Sequence, residues 1–307
     1  MPLVTSKELF KQAMADHFAV GAFNANNMEQ VQAIVEVAQE EHAPVILQVS
    51  QGAIRYCGLA MAAGMVKIAA SLVDVPVVLH LDHGTDFEQN VRCLREGFTS
   101  LMFDGSKLSF DQNVAITKQI AVIAHACGIP VEAELGKVLQ SMDKVSAAEV
   151  EAAMTDPDDA KTFLDLSQAD SLAVAVGSVH AMQEQAAELD LERISAILKT
   201  THAPLVLHGS SGVTDDSLVG AIERGIVKIN VATYLNQGFV AGIKNGILES
   251  PDNVDPRKWL TLGRDQVKER VREKMRLFKS SGRISVGGGF ASAPTQHRSA
   301  HLGGAEE

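Results

Sequence analysis

The chain has little of what staples, spans or punctuates a protein. Its three cysteines, Cys57, Cys93 and Cys127, stand far apart with no CxxC spacing. That excludes a disulfide framework or a cysteine metal knot and leaves reduced thiols in a cytoplasmic protein as the expectation. Aromatics are 5% with one Trp, so a core drawn from the 46% hydrophobic residues must be aliphatic and alanine-rich. Positive charge is scarce: 27 Lys and Arg against 38 Asp and Glu leave −11, which excludes nucleic acid or an anionic membrane as a bulk partner. The longest apolar stretch, residues 57–73, is broken by Lys67 and too short for a bilayer, and it reads as a buried helix. The opening MPLVTSKELFKQ lacks the apolar centre of a signal peptide. No GxGxxG follows the first strand, which weakens a dinucleotide-binding reading.

What is present is alternation. Short apolar runs rich in β-branched residues fall at 20–23, 44–48, 77–79, 100–103, 131–135, 171–176, 205–207 and 226–229. Stretches of helical spacing follow them at 28–41, 59–72, 87–96, 110–127, 191–198, 215–223, 232–248 and 264–278, after a first helix at 6–16. The long connection 139–164 is read as mostly polar and helical, with a break at Thr155–Asp159. Eight strand–helix units predict an α/β protein, a (β/α)8 TIM barrel forming one domain over 1–283 with extra C-terminal helices. Residues 284–307 are glycine-rich and aperiodic, so a mobile tail is expected, with His297 and His301 solvated in it.

The stretch PVVLHLDHG, residues 76–84, organises the rest. It has the look of a strand buried on both faces, yet it delivers His80, Asp82 and His83 near its C-terminal end. Ionisable groups are costly to bury unless paired or bound to metal. Asn24, Ser50, Asp82, His83, Asp104, Glu134, His180, His208 and Asn230 all fall where strands end, which in a barrel is one rim, the rim where active sites lie. Three imidazoles from three strands, His83, His180 and His208, suit catalytic zinc with an open fourth position, and Glu134 is a partner or alternate ligand. Asp82 beside them is a general acid/base candidate, while Asn24 and Ser50 are candidates for contacting substrate. HGSSG (208–212) and NVAT (230–233) offer backbone N–H groups and hydroxyls suited to phosphate.

In this order, GAFNANNMEQVQAIVE, PVILQVSQGA, HLDHG, MFDGSKLSF, VEAELG, LAVAVGSVH, PLVLHGSSG, KINVAT and EKMRLF resemble the class II, metal-dependent ketose-bisphosphate aldolases, over roughly Pro2 to Arg283. The resemblance implies reversible cleavage of a ketose (bis)phosphate, such as fructose or tagatose 1,6-bisphosphate, to dihydroxyacetone phosphate and an aldehyde through a zinc-stabilised enediolate. It implies a carbohydrate-metabolism enzyme of glycolytic type, a homodimer or homotetramer. The zinc ligands would be His83, His180 and His208, with Glu134 and Asp104 in the neighbouring shell or at a second divalent or monovalent cation. Asp82 would move the proton, and Gly209, Ser211, Asn230 and Thr233 would hold the dihydroxyacetone phosphate half.

Two departures stand out. Met142 occupies the place of an expected loop glutamate, with Leu139 and Gln140 in place of a glycine pair and Asp143 as a substitute acid, and Ala181 replaces a glycine after His180. They point to a shifted substrate or rate. The alternatives are another ketose phosphate, a zinc-binding accessory homologue without catalysis, or a metal-dependent barrel hydrolase.

Overall fold

The computed structural model describes residues 3–140, 146–182 and 184–284. Its strands are the expected apolar runs: β1 Val20–Asn24, β2 Val45–Ser50, β3 Val77–Asp82, β4 Leu101–Phe103, β5 Val131–Leu135, β6 Leu139–Gln140, β7 Ser171–Val174, β8 Val179–His180, β9 Leu205–Leu207 and β10 Ile226–Val231. The helices are α1 Ser6–Asp16, α2 Met28–Glu40, α3 Gln51–Cys57, α4 Leu59–Ser71, α5 Phe87–Arg95, α6 Phe110–Ala126, α7 Ala147–Ala153, α8 Pro157–Ser167, α9 Leu191–Thr201, α10 Asp215–Glu223, α11 Thr233–Glu249 and α12 Pro256–Leu277.

Local chemistry sets many of the boundaries. Asn27, Asp86, Asp190 and Thr214 accept a backbone N–H from the first turn of their helices, and Ser109 forms a reciprocal box with Gln112. Val77, Val78, Leu79 and Leu81 are buried, as a parallel sheet covered on both faces requires.

Eight strands pair in parallel in the order β3-β2-β1-β10-β9-β7-β5-β4. Bridges His80–Ser100 and Gly84–Phe103 join β4 back to β3, bringing the sheet nearly to closure as a TIM barrel. At its N-terminal end α1 lays Leu9, Phe10 and Ala13 against Val20, Ala22, Ile46, Val78 and Val227, an apolar plug. The interior then turns polar towards the other end. His80 and Asp82 alternate on β3, Glu132 and Glu134 on β5, and Lys228 and Asn230 on β10, all six buried.

Four expectations need correction. The stretch 57–73 is not one buried helix: Gly58, at φ 83°, breaks it between α3 and α4, and Met61, Ile68 and Leu72 lie 63–78% exposed. The segment 139–164 opens as a strand, with β6 pairing β8 in a second small sheet before α7 and α8. The last helix begins eight residues before the expected Arg264, because Asp255 caps it and Pro256 fits its first turn. The expected strand 171–176 ends two residues early, at Val174. The predicted tail residues 285–307, Met142 and Asp143 lie outside the described residues.

Candidate active site

The C-terminal rim encloses a cavity of about 640 Å³ whose wall includes Asn24, Asp82, His83, Asp104, Glu134 and His180. Gly209, Ser211, Asn230 and Thr233 complete the predicted set on that wall. His208 sits fully buried just beneath, its ring 4.7 Å from that of His83 centre to centre. Ser50 is the exception. It stands opposite Asp82 in the β2–β3 register but its hydroxyl accepts the Ala53 N–H at 3.2 Å as the cap of α3.

Asp82 and His83 are neighbours, and in an extended strand they would face opposite ways. The chain resolves this at His83 itself, which adopts a left-handed φ of 51° that is uncommon for a residue with a Cβ. Gly84 serves differently: a Cβ there would run into the Met102 carbonyl, so its lack of a side chain lets the turn pass against β4. Asp82 accepts hydrogen bonds from Asn24 Nδ2 at 2.7 Å and Asn230 Nδ2 at 3.3 Å, while Gln48 Nε2 donates to Asn24 Oδ1 at 2.6 Å. Burial opposes charge on Asp82, but His83, His208, Lys228 and the Asn24 amide outweigh it and hold its carboxyl below the usual range.

The imidazoles are oriented from behind. His83 Nδ1 lies 2.8 Å from Asp104 Oδ2, which leaves its Nε2 facing His208 Nδ1 at 3.1 Å. His208 Nε2 lies 3.0 Å from Glu132 Oε1. Each ring therefore commits one nitrogen to a carboxylate and turns the other towards its neighbour. Two lone pairs that close need a positive charge between them, from a proton or a metal ion. Among the protein's own groups His83 holds the proton: burial works against it, but Asp82, Asp104 and Glu134 raise it to about 10. Burial and the His83 charge push His180 down to about 4, and the same causes hold His208 well below the imidazole range.

The donor set fits a divalent cation. Ligand atoms of His83, His180 and His208 lie within 4.8 Å of one another, as do those of His83, Asp104 and Glu134. Tetrahedral zinc with bonds of about 2.0–2.1 Å needs nitrogen donors about 3.3 Å apart, close to the His83–His208 spacing. Glu134 Oε2 is buried without a hydrogen-bond partner, 3.6 Å from His208 Nδ1 and 3.8 Å from His83 Nδ1. Burial and the charge of Asp104 push the Glu134 carboxyl up to about 8. An orphan acceptor beside three convergent imidazoles is what a cation would satisfy.

On the other side of the mouth, Gly209 has φ 69°, and a Cβ there would crowd the Val179 carbonyl group at 3.0–3.1 Å. Ser210 Oγ donates to the Asn230 carbonyl, and Ser211 Oγ accepts the Tyr234 N–H at 3.3 Å. α11 starts at Thr233 on the cavity wall, so the positive end of its dipole lies at a site suited to an anion.

The matching family model is that of class II fructose-bisphosphate aldolase, over residues 4–283. The chain is 40% identical over 304 residues to a fructose-bisphosphate aldolase of Thermus caldophilus, covering 92% of this chain and 99% of that one. The chain belongs to the class II fructose-bisphosphate aldolase family. Among solved structures it resembles the YdjI aldolase of Escherichia coli K12, with TM-score 0.81 and 33% identity over 92% of this chain and 100% of that one. A fructose-bisphosphate aldolase of Campylobacter jejuni shares the fold, with TM-score 0.77 at 23% identity over 91% and 96% of the two chains. As a class II aldolase this protein is a carbon–carbon lyase of carbohydrate metabolism acting on a sugar phosphate, and the hydrolase and accessory readings give way.

The storey beneath the rim was not anticipated. Lys228 Nζ lies 2.8 and 3.0 Å from the two Glu132 oxygens and 3.2 Å from His80 Nε2, and His80 Nδ1 lies 2.8 Å from Ser100 Oγ. The signal was in the sequence: a lysine inside the apolar IVKINV and a glutamate two before Glu134 share a face with residues already suspected.

Proposed function

We propose that the protein catalyses zinc-dependent, reversible aldol cleavage of a ketose 1,6-bisphosphate, fructose or tagatose, to dihydroxyacetone phosphate and an aldehyde. The observation that carries this reading is the convergence of His83, His180 and His208 on one point, with Asp82 beside it and an anion cradle across the mouth. The three imidazoles would hold the zinc, with Glu134 and Asp104 next to it or at a second cation. Bound there, zinc would supply Lewis acidity towards the ketose carbonyl.

The chain's own groups do the rest. Asp82, kept ionised and aimed by Asn24 and Asn230, accepts the proton of the hydroxyl at the carbon where the bond breaks and returns it in the condensation direction. Gly209, Ser211, the start of α11 at Thr233 and Asn230 hold the donor half and its phosphate. Ala181, at φ 60° on the cavity wall where the family has glycine, favours a second reading within the same chemistry, a different ketose phosphate. A homodimeric or homotetrameric, cytoplasmic enzyme completes the proposal.

The test is a panel of ketose mono- and bisphosphates with zinc-loaded protein, following dihydroxyacetone phosphate. Release from a 1,6-bisphosphate, abolished by a chelator and reduced about 100- to 10,000-fold in Asp82→Asn with zinc retained, is expected. Absence of triose phosphate from every ketose bisphosphate would refute it.

A further inference from the structure

The outer face of α4 differs from those of α8 and α12. Helix α8 turns Asp158, Lys161 and Asp165 to solvent, and α12 turns Asp265, Glu269 and Arg276. On α4 the exposed residues are Ala60, Met61, Lys67, Ile68 and Ser71, followed by Leu72 at its C-terminal end, with Gly64 half-buried among them. Lys67 is the one charged residue of the helix, and its ammonium donates to the Glu96 carbonyl while its stem lies over Gly97. Ser71 turns its hydroxyl back onto the Ile68 carbonyl at 2.6 Å. What is left facing water is apolar.

At helical spacing these residues form two rows. Ala60, Gly64 and Ser71 make a row of small side chains, with Lys67 folded aside from it. Met61, Ile68 and Leu72 make a row of large ones, 63–78% exposed, and Tyr56, at the end of α3 across the Gly58 bend, is 77% exposed. Four such side chains put on the order of 500 Å² of mostly apolar surface into water, as much as a soluble chain ordinarily leaves in its largest patch. The helix cannot turn to hide them, because Ala62, Ala63, Val66, Ala69 and Ala70 hold its opposite face in the core.

Gly64 adds a second observation. Glycine weakens a helix interior relative to alanine, so one kept there is explained by a close neighbour. In α11 the neighbour is visible: a Cβ on Gly238 or Gly246 would strike Arg270 or Leu262 of α12, and one on Gly242 the Leu262 carbonyl. A Cβ on Gly64 would meet nothing within 4 Å, and its φ is not of the positive sign that calls for glycine. By the same physics Gly64 makes room for a backbone that comes from outside the chain.

We propose that the outer face of α4 is where two copies of this chain meet, the helices crossing at Gly64 about a twofold axis. A twofold interface sets a patch against itself, so every charge near the axis would face its own copy. A face without free charge, with small and large rows side by side, meets that requirement, and Lys67 is already turned away. Its apolar area, with the small row, suits the centre of a standard interface, which buries about 800 Å² on each partner. An anionic bilayer is the wrong occupant for a chain of net charge −11. The contact rests on the oligomer proposed above, to which it assigns a surface, and not on the zinc chemistry.

Sedimentation equilibrium of the full chain tests this. The wild type is expected to be a dimer or a multiple of one. Ile68→Lys and Leu72→Lys, both at exposed positions, halve the mass at a fixed concentration, raising the dissociation constant about 30-fold or more as loss of a central apolar anchor does. Gly64→Ala, which on a free surface would only firm the helix, weakens the contact about tenfold by overpacking the crossing. Val122→Lys, at a 56% exposed site on α6, leaves the mass unchanged. Monomeric wild-type protein overturns both the contact and the oligomer. An oligomer whose mass all three α4 variants leave unchanged, or one that Val122→Lys dissociates equally, overturns the contact alone. So does flotation of the wild type with phosphatidylglycerol vesicles that Ile68→Lys abolishes, since a bilayer is then the occupant. Aldol cleavage is not the readout, so its failure would leave the contact standing.

Discussion

His208 Nε2 lies 3.0 Å from Glu132 Oε1, and that carboxylate is held in turn by Lys228 at 2.8 Å, all three side chains buried. The ring of one rim histidine is thus aimed by an ion pair one storey down. A lysine and a glutamate taken wholly out of water are tolerated because each is the other's counter-charge and both have further partners.

Glu132→Gln is therefore expected to do two separable things. It loosens the His208 ring and weakens zinc binding about 10- to 100-fold, read by competition with a chromophoric chelator. It also strands Lys228 without its partner, costing about 3–5 kcal/mol by urea unfolding. Adding Lys228→Met removes the stranded charge and restores much of the stability but none of the zinc affinity. Unchanged zinc affinity in both variants would show that the backbone alone sets the ring.

Ala181 sits at φ 60° on the cavity wall, a conformation that costs a residue with a Cβ about 1 kcal/mol relative to glycine. Ala181→Gly should raise stability by up to about 1 kcal/mol and lower KM for a ketose bisphosphate by about tenfold, the lower end of what one methyl decides in a fitted pocket. An unaltered KM would mean that the methyl group does not meet the substrate.

A third expectation concerns acid. Glu41 is bonded by Arg276 at 2.7 and 3.0 Å, which ties the end of α2 to α12, and this pairing holds its carboxyl below the usual value. A carboxylate with a depressed folded pKa stabilises the fold above its unfolded pKa of about 4.5 and loses that contribution as the pH falls through the folded value. The pair is partly solvated, so about 0.5–1 kcal/mol is at stake. Glu41→Gln should melt about 2 °C below wild type at pH 7, with the two curves converging below pH 4. A gap that persists in acid would point to lost packing instead.

Much of this was legible in advance because two periods dominate the sequence. Runs such as VVLHLD and IVKINV announce buried strands, and the barrel follows from their number and alternation with helices. The rim was legible because polar residues end apolar runs. Long-range geometry was harder to read. Nothing local says that Ser50 caps a helix instead of facing the cavity, or that the His83 backbone, not Gly84, makes the turn. The apolar composition of 57–73 suggested burial, but Gly58 breaks the helix, and Ile68 and Leu72 stand in solvent. The β6–β8 pairing joins residues some forty positions apart, and no short-range pattern encodes it.

The reversed sign of the His83 dihedral has a consequence for redesign. The corner that turns this imidazole inward is made by the His83 backbone and finds room only because Gly84, passing close to the neighbouring strand, lacks a side chain. A library that varies the upper loops and spares residues 82–84 leaves this corner and the imidazole it aims in place. One that randomises those three positions loses the corner itself, whatever the loops above it become.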